Sequence, residues 1–449
     1  MDLLIRNGTV IDPSTRVERR ADILIIDGKV AVIEEGIAPG SGVDVIDATG
    51  MLVAPGLVDM HVHLRDPGQT HKEDITSGTL AAVRGGFTAV ACMPNTAPPI
   101  DHPTVVEYVK SRARAASCRV FPIAAITKGQ VGKELSPIAA LAGAGAVALS
   151  DDGVSVPDAG LLRRAMSYAS MFDLPIIEHC EDLAISAGGV MHEGSWSTVL
   201  GLRGIPAVSE EAIVARDLLL AEETGARLHV AHVSTAGSVR LIREAKRRGV
   251  RVTAEVTPHH LALTDEAVQG FDANVKMNPP LRSAADVEAM CEALIDGTID
   301  AIATDHAPHA PEEKSVEFDA APFGIVGLET ALGVAWTVLV HSGLLSPVEA
   351  LRKMSAVPAT ILNIPGGGLR PGESADLVVI DPERRWTVDP ASFASKSRNT
   401  PFQGRTLTGK AVMTLVGGEI KHDELTDDGV RGSGLGVRET MQVGDTVVE

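Results

Sequence analysis

The chain has 449 residues, 45% of them hydrophobic and 22% charged, and a formal net charge of −19 at pH 7. That balance excludes a largely disordered chain, and so acidic a surface repels phosphate backbones and anionic lipid, which argues against nucleic-acid and membrane partners. No apolar run reaches the roughly 18–20 residues that span a bilayer, and Met1-Asp2-Leu3-Leu4-Ile5-Arg6 is not a leader sequence. Cys92, Cys118, Cys180 and Cys291 form no C-x-x-C pair. The expectation is a cytoplasmic protein with reduced thiols.

In chain order, the first fifty residues read as strands and tight turns. Asn7-Gly8 and Asp27-Gly28 each lie between short apolar runs, the pattern of a two-residue hairpin. The same texture returns at 375–380 and 411–416, before Gly417-Gly418. Two β-rich ends around a different middle predict one small β-sandwich built from residues 1–53 and 369–425. A loosely ordered tail is expected at 426–449.

The middle, 54–368, alternates short apolar strands with helical stretches. Strands are expected at 57–63, 88–93, 120–126, 146–150, 175–179, 228–232, 252–256 and 300–304. Ser283-Ala284-Ala285-Asp286 is a capping box, followed by Val287, Met290, Cys291 and Leu294 on one helical face and by Gly297 as a stop. Ser209 before Glu210-Glu211 is a second helix start. Eight strand–helix alternations predict an α/β fold, a (β/α)₈ TIM-type barrel; the rival is an open doubly wound sheet.

Polar residues gather at the strand ends. His61-Val62-His63 closes the first strand, and side chains two apart on a strand share a face. The fourth ends in Ser150-Asp151-Asp152-Gly153, the fifth in Glu178-His179, the sixth in Ala231-His232-Val233 and the eighth in Thr304-Asp305-His306. The C-terminal rim is where barrels assemble their sites, and buried His and Asp converging there need a cation. Imidazole with carboxylate suits Zn²⁺, with Mn²⁺ or Co²⁺ as substitutes. Four histidines and two carboxylates exceed one open tetrahedral site and point to two ions. His229 is expected to face away from His232, toward the helices. His259-His260 is read as supporting the site from outside.

Pro55-Gly56-Leu57-Val58-Asp59-Met60-His61-Val62-His63-Leu64-Arg65 resembles the signature of the amidohydrolase superfamily. With Met93-Pro94-Asn95-Thr96, Ser150-Asp151-Asp152-Gly153, Lys276-Met277-Asn278-Pro279-Pro280-Leu281-Arg282 and Thr304-Asp305-His306-Ala307-Pro308-His309, the chain resembles bacterial dihydroorotases of the first class over nearly its whole length. The resemblance implies that His61, His63 and Asp305 hold one metal, that His179 and His232 hold a second, and that Asp152 lies between them. Many relatives, hydantoinases included, bridge instead with a carbamylated lysine on a barrel strand; the fourth strand here carries Ser150-Asp151-Asp152 and no lysine. Alternation alone leaves Asp151 and Asp152 both open as the bridge. Lys128 is the one lysine that reopens the question, with a solvated loop position as its other reading.

The resemblance further implies ring opening or closure of a cyclic amide by a metal-activated water, with Asp305 as acid and base. Arg65 offers a planar fork for a substrate carboxylate, with an ion pair to Asp66 as the plainer reading. His63, Asn95 and His309 join it there, while Asn278 and the backbone at Phe323-Gly324 hold the ring amides; the plainer role for Asn278 is turn formation. Two segments, 188–206 and 306–316, are candidate covers for the site. By the same resemblance the chain is expected to be a homodimer, and association with aspartate transcarbamoylase is a further expectation. Its rivals are a hydantoinase or allantoinase, and an inactive scaffold that has lost its metal ligands.

Overall fold

A computed structural model of the chain describes residues 2–425, so the tail expected at 426–449 lies outside the described residues. Eight parallel strands, each beside its neighbour in sequence, form the central sheet: Leu57–Val62, Phe87–Cys92, Arg119–Ala124, Ala148–Ser150, Ile176–Glu178, Leu228–Val230, Val252–Val256 and Ala301–Ile302. A parallel bridge from Val62 to His306, with His63 N donating to His306 O at 2.9 Å, joins the last strand to the first. That closure makes a barrel and excludes the open sheet.

Alternation within the strands explains how the barrel is filled. Val58, Met60, Ala89, Ala91, Ile123, Ala148, Ile177, Ala231 and Ala301 pack together inside. Ile361, Leu362 and Ile364, the first two from the helix Ala356–Leu362, join this cluster. Leu57, Phe87, Val90, Leu149, Leu228 and Val230 face the surrounding helices instead. The inner set is rich in alanine, and the narrow lumen it lines is packed solid, so ligands have access only at the rim.

The strands that carry His63, His179, His232 and Asp305 stop short of their predicted ends, at Val62, Glu178, Val230 and Ile302, and these four residues lie just beyond them. His232 and Asp305 leave their strands with φ of 31° and 49°, and Arg65 has φ of 57°. Three non-glycine residues in the left-handed region on one rim are strained conformations, of the kind that cluster at functional sites.

The helix predicted after Ser283 is present as Ala284–Asp296, with the Ser283–Asp286 capping box formed and Gly297 left-handed at its end. The start predicted at Ser209 is displaced. That helix runs Val208–Thr224 with Ala207 at its N-cap, and Ser209 is buried in the first turn. Glu210 turns inward, its Oε1 accepting from Ser234 N and Thr235 N at 3.2 Å each. It therefore props the loop just beyond His232 rather than decorating the helix end.

Both chain ends contribute to a second sheet, in the order Glu419–Asp423, Thr406–Val416, Leu377–Thr387, Leu52–Pro55, Leu3–Asp12, Val17–Ile26, Lys29–Glu34, with Asp44–Asp47 also paired to Leu3–Asp12. Asp27-Gly28 is the predicted hairpin turn, with φ of 49° and 74°. Asn7-Gly8 is not a turn. The strand runs through it, and the pair forms a bulge where the strand changes parallel partner from Asp44–Asp47 to Leu52-Val53. Gly8 is required there, because a Cβ would sit 2.8 Å from Val53 Cγ2. Leu3, Ile5, Ile23, Val53, Leu377, Val379, Val412 and Leu415 form this sheet's own core. The alternate residues Val378, Ile380 and Ala411 pack on the barrel side, so the two cores share strands.

Candidate active site

His61 lies in the first strand and His63 just past its end, with rings 5.5 Å apart and both buried. Asp152, just past the fourth strand, lies between them: Oδ1 is 3.3 Å from His61 Nε2 and Oδ2 is 3.5 Å from His63 Nε2. Its Oδ1 is also 4.0 Å from His232 Nε2, which lies 2.9 Å from His179 Nδ1. Asp305 completes the ring, with Oδ1 at 3.0 Å from His63 Nε2 and 3.5 Å from His61 Nε2. Asp151 points elsewhere, to Thr127, whose N donates to its Oδ1 at 3.0 Å. Lys128 pairs with Glu134 in an exposed loop.

Neighbouring groups fix which ring nitrogens face the cluster. Glu255 Oε1 lies 2.6 Å from His61 Nδ1; a carboxylate can only accept, so Nδ1 carries a proton and Nε2 is the nitrogen that faces the cluster. Asn95 works the same way on His63: its Oδ1 is 2.8 Å from Nδ1, while its Nδ2 donates to Asp152 Oδ2 at 3.2 Å. Glu181 Oε2 accepts from His179 Nε2 at 3.1 Å and from Asn278 Nδ2 at 2.8 Å. Imidazole nitrogens and carboxylates thus converge on one point.

Such an arrangement is repulsive without a cation. His61 Nε2 and Asp152 Oδ1 are buried and have no hydrogen-bond partner, orphaned atoms that a metal ion would satisfy. The ligating atoms of His61, His63 and Asp152 lie within 4.8 Å of one another, and so do those of Asp152, His179 and His232. The residues present fit two ions that share Asp152. Burial would raise the pKa of Asp305, but the His63 contact, with His61 and His232, holds it well below the usual carboxylate range. Burial, with His179 and His61, pushes His232 down to about 3, so it stays a neutral donor.

Above this cluster opens a cavity of about 260 Å³, walled by Arg65, Asn95, Asn278, His309, Phe323 and Gly324 as well as the cluster itself. Arg65 does not pair with Asp66, which accepts from Tyr108 Oη at 2.8 Å and faces Arg112 at 3.5 Å. Its Nε donates to Pro308 O at 3.2 Å. His309, neutral because burial and then Arg65 lower it to about 3, donates from Nε2 to Phe323 O at 2.8 Å. Gly324 N is already bonded to Lys276 O at 2.9 Å. Of the two candidate covers, 306–316 contributes Ala307 and His309 to the wall; the segment 188–206 contributes none of the lining residues.

Two histidines are placed differently from expectation, or further from the cavity. His229 faces the barrel interior, where Nε2 meets Glu255 Oε2 at 3.2 Å and Nδ1 meets Thr253 Oγ1 at 2.8 Å. The strand's own alternation puts it there, with Leu228 and Val230 toward the helices and Ala231 inside; His232 lies past the strand end, where the left-handed backbone breaks the register on which the expectation rested. His260 bonds Pro279 O at 3.0 Å, beneath the Asn278 loop. Glu255, Glu181 and Asn399 were not legible as site residues. Glu255 and Asn399 have partners far away in sequence, and Glu181, two residues from His179, lies in a polar run that reads as a solvated loop.

Residues 50–238 of the chain match the family model described as dihydro-orotase-like, and 202–422 match that of the amidohydrolase family. The dihydroorotase of Pelotomaculum thermopropionicum is 59% identical over 420 residues, 94% of this chain and 98% of that protein. The chain belongs to the dihydroorotase family. The dihydroorotase of Syntrophus aciditrophicus is 54% identical over 94% of this chain and all of its own length. Dihydroorotase membership makes the chain a cyclic amidohydrolase of pyrimidine biosynthesis that acts on a small molecule, within a metal-dependent family. The fold is shared with the L-hydantoinase (dihydropyrimidinase) of Arthrobacter aurescens, 29% identical with a TM-score of 0.84 over 94% of this chain and 96% of that one. The same holds for the D-hydantoinase (dihydropyrimidinase) of a Thermus species, 26% identical with a TM-score of 0.82 over 94% and 95%. Among the described residues no helix is long and apolar enough to cross a membrane.

Proposed function

We propose that the chain interconverts N-carbamoyl-L-aspartate and (S)-dihydroorotate, with Asp305 as acid and base and Arg65 as the anchor of the substrate carboxylate. One observation carries this reading: Arg65 stands on the wall of the cavity onto which His63, Asp152, His179, His232 and Asp305 open. A guanidinium fork beside a metal cluster suits a ring amide that bears a carboxylate, which hydantoin lacks.

In this reading His61, His63 and Asp305 hold one divalent ion, His179 and His232 hold another, and Asp152 serves both. Zn²⁺ is the ion proposed, up to two per chain, with Mn²⁺ or Co²⁺ as substitutes, because the donors mix imidazole and carboxylate. When bound, such ions polarise a carbonyl oxygen and make water acidic enough to attack at neutral pH.

The remaining steps belong to the protein. Arg65, Asn95 and His309 orient the carboxylate, and Asn278 with the backbone at Phe323-Gly324 steers the ring amide. Asp305 takes the proton of the attacking water as the carbon–oxygen bond forms. It returns that proton to the ring nitrogen as the carbon–nitrogen bond breaks. Cyclisation runs the same transfers backward.

The test is an assay of one preparation on dihydroorotate, hydantoin and allantoin, with metal analysis of the same sample. The expected result is turnover of dihydroorotate alone, with bound divalent metal. Preference for hydantoin, or full activity without metal, overturns the reading. A homodimer is part of the proposal, as is association with aspartate transcarbamoylase, and light scattering of the chain alone and of the mixture tests both.

A further inference from the structure

Glu255 lies in the seventh barrel strand with its side chain in the lumen, fully buried beneath the site. It is not itself among the residues that line the cavity. Yet it contacts both halves of the cluster. Its Oε1 is 2.6 Å from His61 Nδ1, in the group His61, His63 and Asp152. The same oxygen accepts from the backbone N–H of His232 at 3.3 Å, in the group Asp152, His179 and His232. His232 is the residue whose φ of 31° needs support from outside its own strand.

The other oxygen is equally committed. Oε2 is 3.2 Å from His229 Nε2, and His229 Nδ1 is in turn 2.8 Å from Thr253 Oγ1. This chain of contacts crosses the first, sixth and seventh strands and leaves the carboxylate no freedom to swing. A buried carboxylate held by three donors is fully paired, which is the condition under which it is tolerated and rigid.

We propose that Glu255 is the positioning residue that keeps the two metal positions in register, aiming the His61 Nε2 lone pair at one and fixing the His232 backbone for the other. This rests on the two-ion reading given above. Groups that orient a ligating histidine through its far nitrogen contribute about 10- to 100-fold to metal affinity. Here one carboxylate acts on a ligand of each position, so both affinities depend on it.

The test titrates the metal-free full chain with Zn²⁺ against a chromophoric chelator, and records the visible spectrum with Co²⁺ in its place. Glu255→Ala is expected to weaken both binding steps at least tenfold and to alter the Co²⁺ spectrum. Glu255→Gln keeps an acceptor for His61 but loses the charge, so it is expected to fall between wild type and Glu255→Ala at both steps. A merely structural role would lower the melting temperature of the metal-free chain and leave both affinities alone. Unchanged affinities, or loss at one step only, overturn the proposal. If Glu255→Ala does not fold, Glu255→Gln decides on the same readouts, unchanged binding at either step being the overturning result. Wild-type protein that binds no divalent ion would overturn the two-ion reading as well. Two ions bound by wild type and by Glu255→Ala with equal affinity would sink only the role of Glu255.

Discussion

Arg65 and Asp305 line the same cavity, both with left-handed backbones, and in the proposed reaction they divide the work of holding and transforming the substrate. Arg65→Met is expected to lower kcat/KM for dihydroorotate by roughly 10- to 150-fold, the loss of one charge-assisted contact of about 1.5–3 kcal/mol. Any slow hydrolysis of unsubstituted dihydrouracil should hardly change, since that ring has no carboxylate to hold. Equal losses on both substrates would instead assign Arg65 to the metal site or the fold. Asp305→Asn should keep the fold and lose about 10²–10⁴ in kcat. Near-normal turnover with intact metal content would remove Asp305 from the chemistry. The sequence made His61, His63, His179, His232 and Asp305 legible because each stands at the end of an apolar run, where a polar side chain is conspicuous; Asp152 was separated from Asp151 only by family resemblance. Glu255 and Glu181 are also buried but were illegible: an acidic residue in or after a strand looks like any solvated one.

At the scale of elements, Asn399 ties two cavity loops together from the segment that returns to the second sheet. Its Nδ2 donates to Ala307 O at 3.1 Å and Gly324 O at 3.0 Å, and its Oδ1 accepts from His309 N at 3.3 Å. Asn399→Ala leaves those buried groups unpaired, at about 1–3 kcal/mol each. The expected outcome is a higher KM and a lower melting temperature at unchanged metal content. Unaltered KM would mean that the loops hold their places alone. Element types were legible wherever periodicity and caps agreed, as in the helix from Ala284 to Asp296. They misled where a local motif had two outcomes. Asn-Gly at Asn7-Gly8 serves a bulge as well as a turn, and only the change of partner strand decides between them. Ser209 failed for a similar reason, because Glu210 is recruited by a loop that the local sequence does not contain.

For the whole molecule, metal and pH should both register in stability. An ion that binds only the folded chain adds about 2.7 kcal/mol at a hundred times its Kd. Stripping the metal should therefore lower the melting temperature by several degrees, with recovery on adding Zn²⁺. No shift on verified removal would mean that the cluster tolerates its own repulsion. Lys353 supplies a pH signal remote from the site. Buried, with Nζ donating to Ile299 O at 2.8 Å, it is lowered by that burial to about 8. Unfolded, it titrates near the ordinary lysine value of about 10.4. Above pH 8 the unfolded chain therefore binds more protons at this position, so this contribution to stability rises with pH between the two values. Wild type should gain stability relative to Lys353→Met from pH 7 to pH 9. A constant difference in chemical-denaturation midpoints would show that Lys353 stays charged in the folded chain.

The strand Leu52–Pro55 pairs with Leu3–Asp12 on one side and with Leu377–Thr387 on the other. Those two neighbours are made at opposite ends of translation. While the barrel is being synthesised, the early strands wait with one edge bare, and a bare edge is a template for the wrong partner. Asn399 is made later still, so the cavity loops it joins stay untied until the ribosome has nearly finished the described chain. A nascent chain of this design carries an unpaired sheet edge through the whole synthesis of its barrel, until the strand that begins at Leu377 closes it.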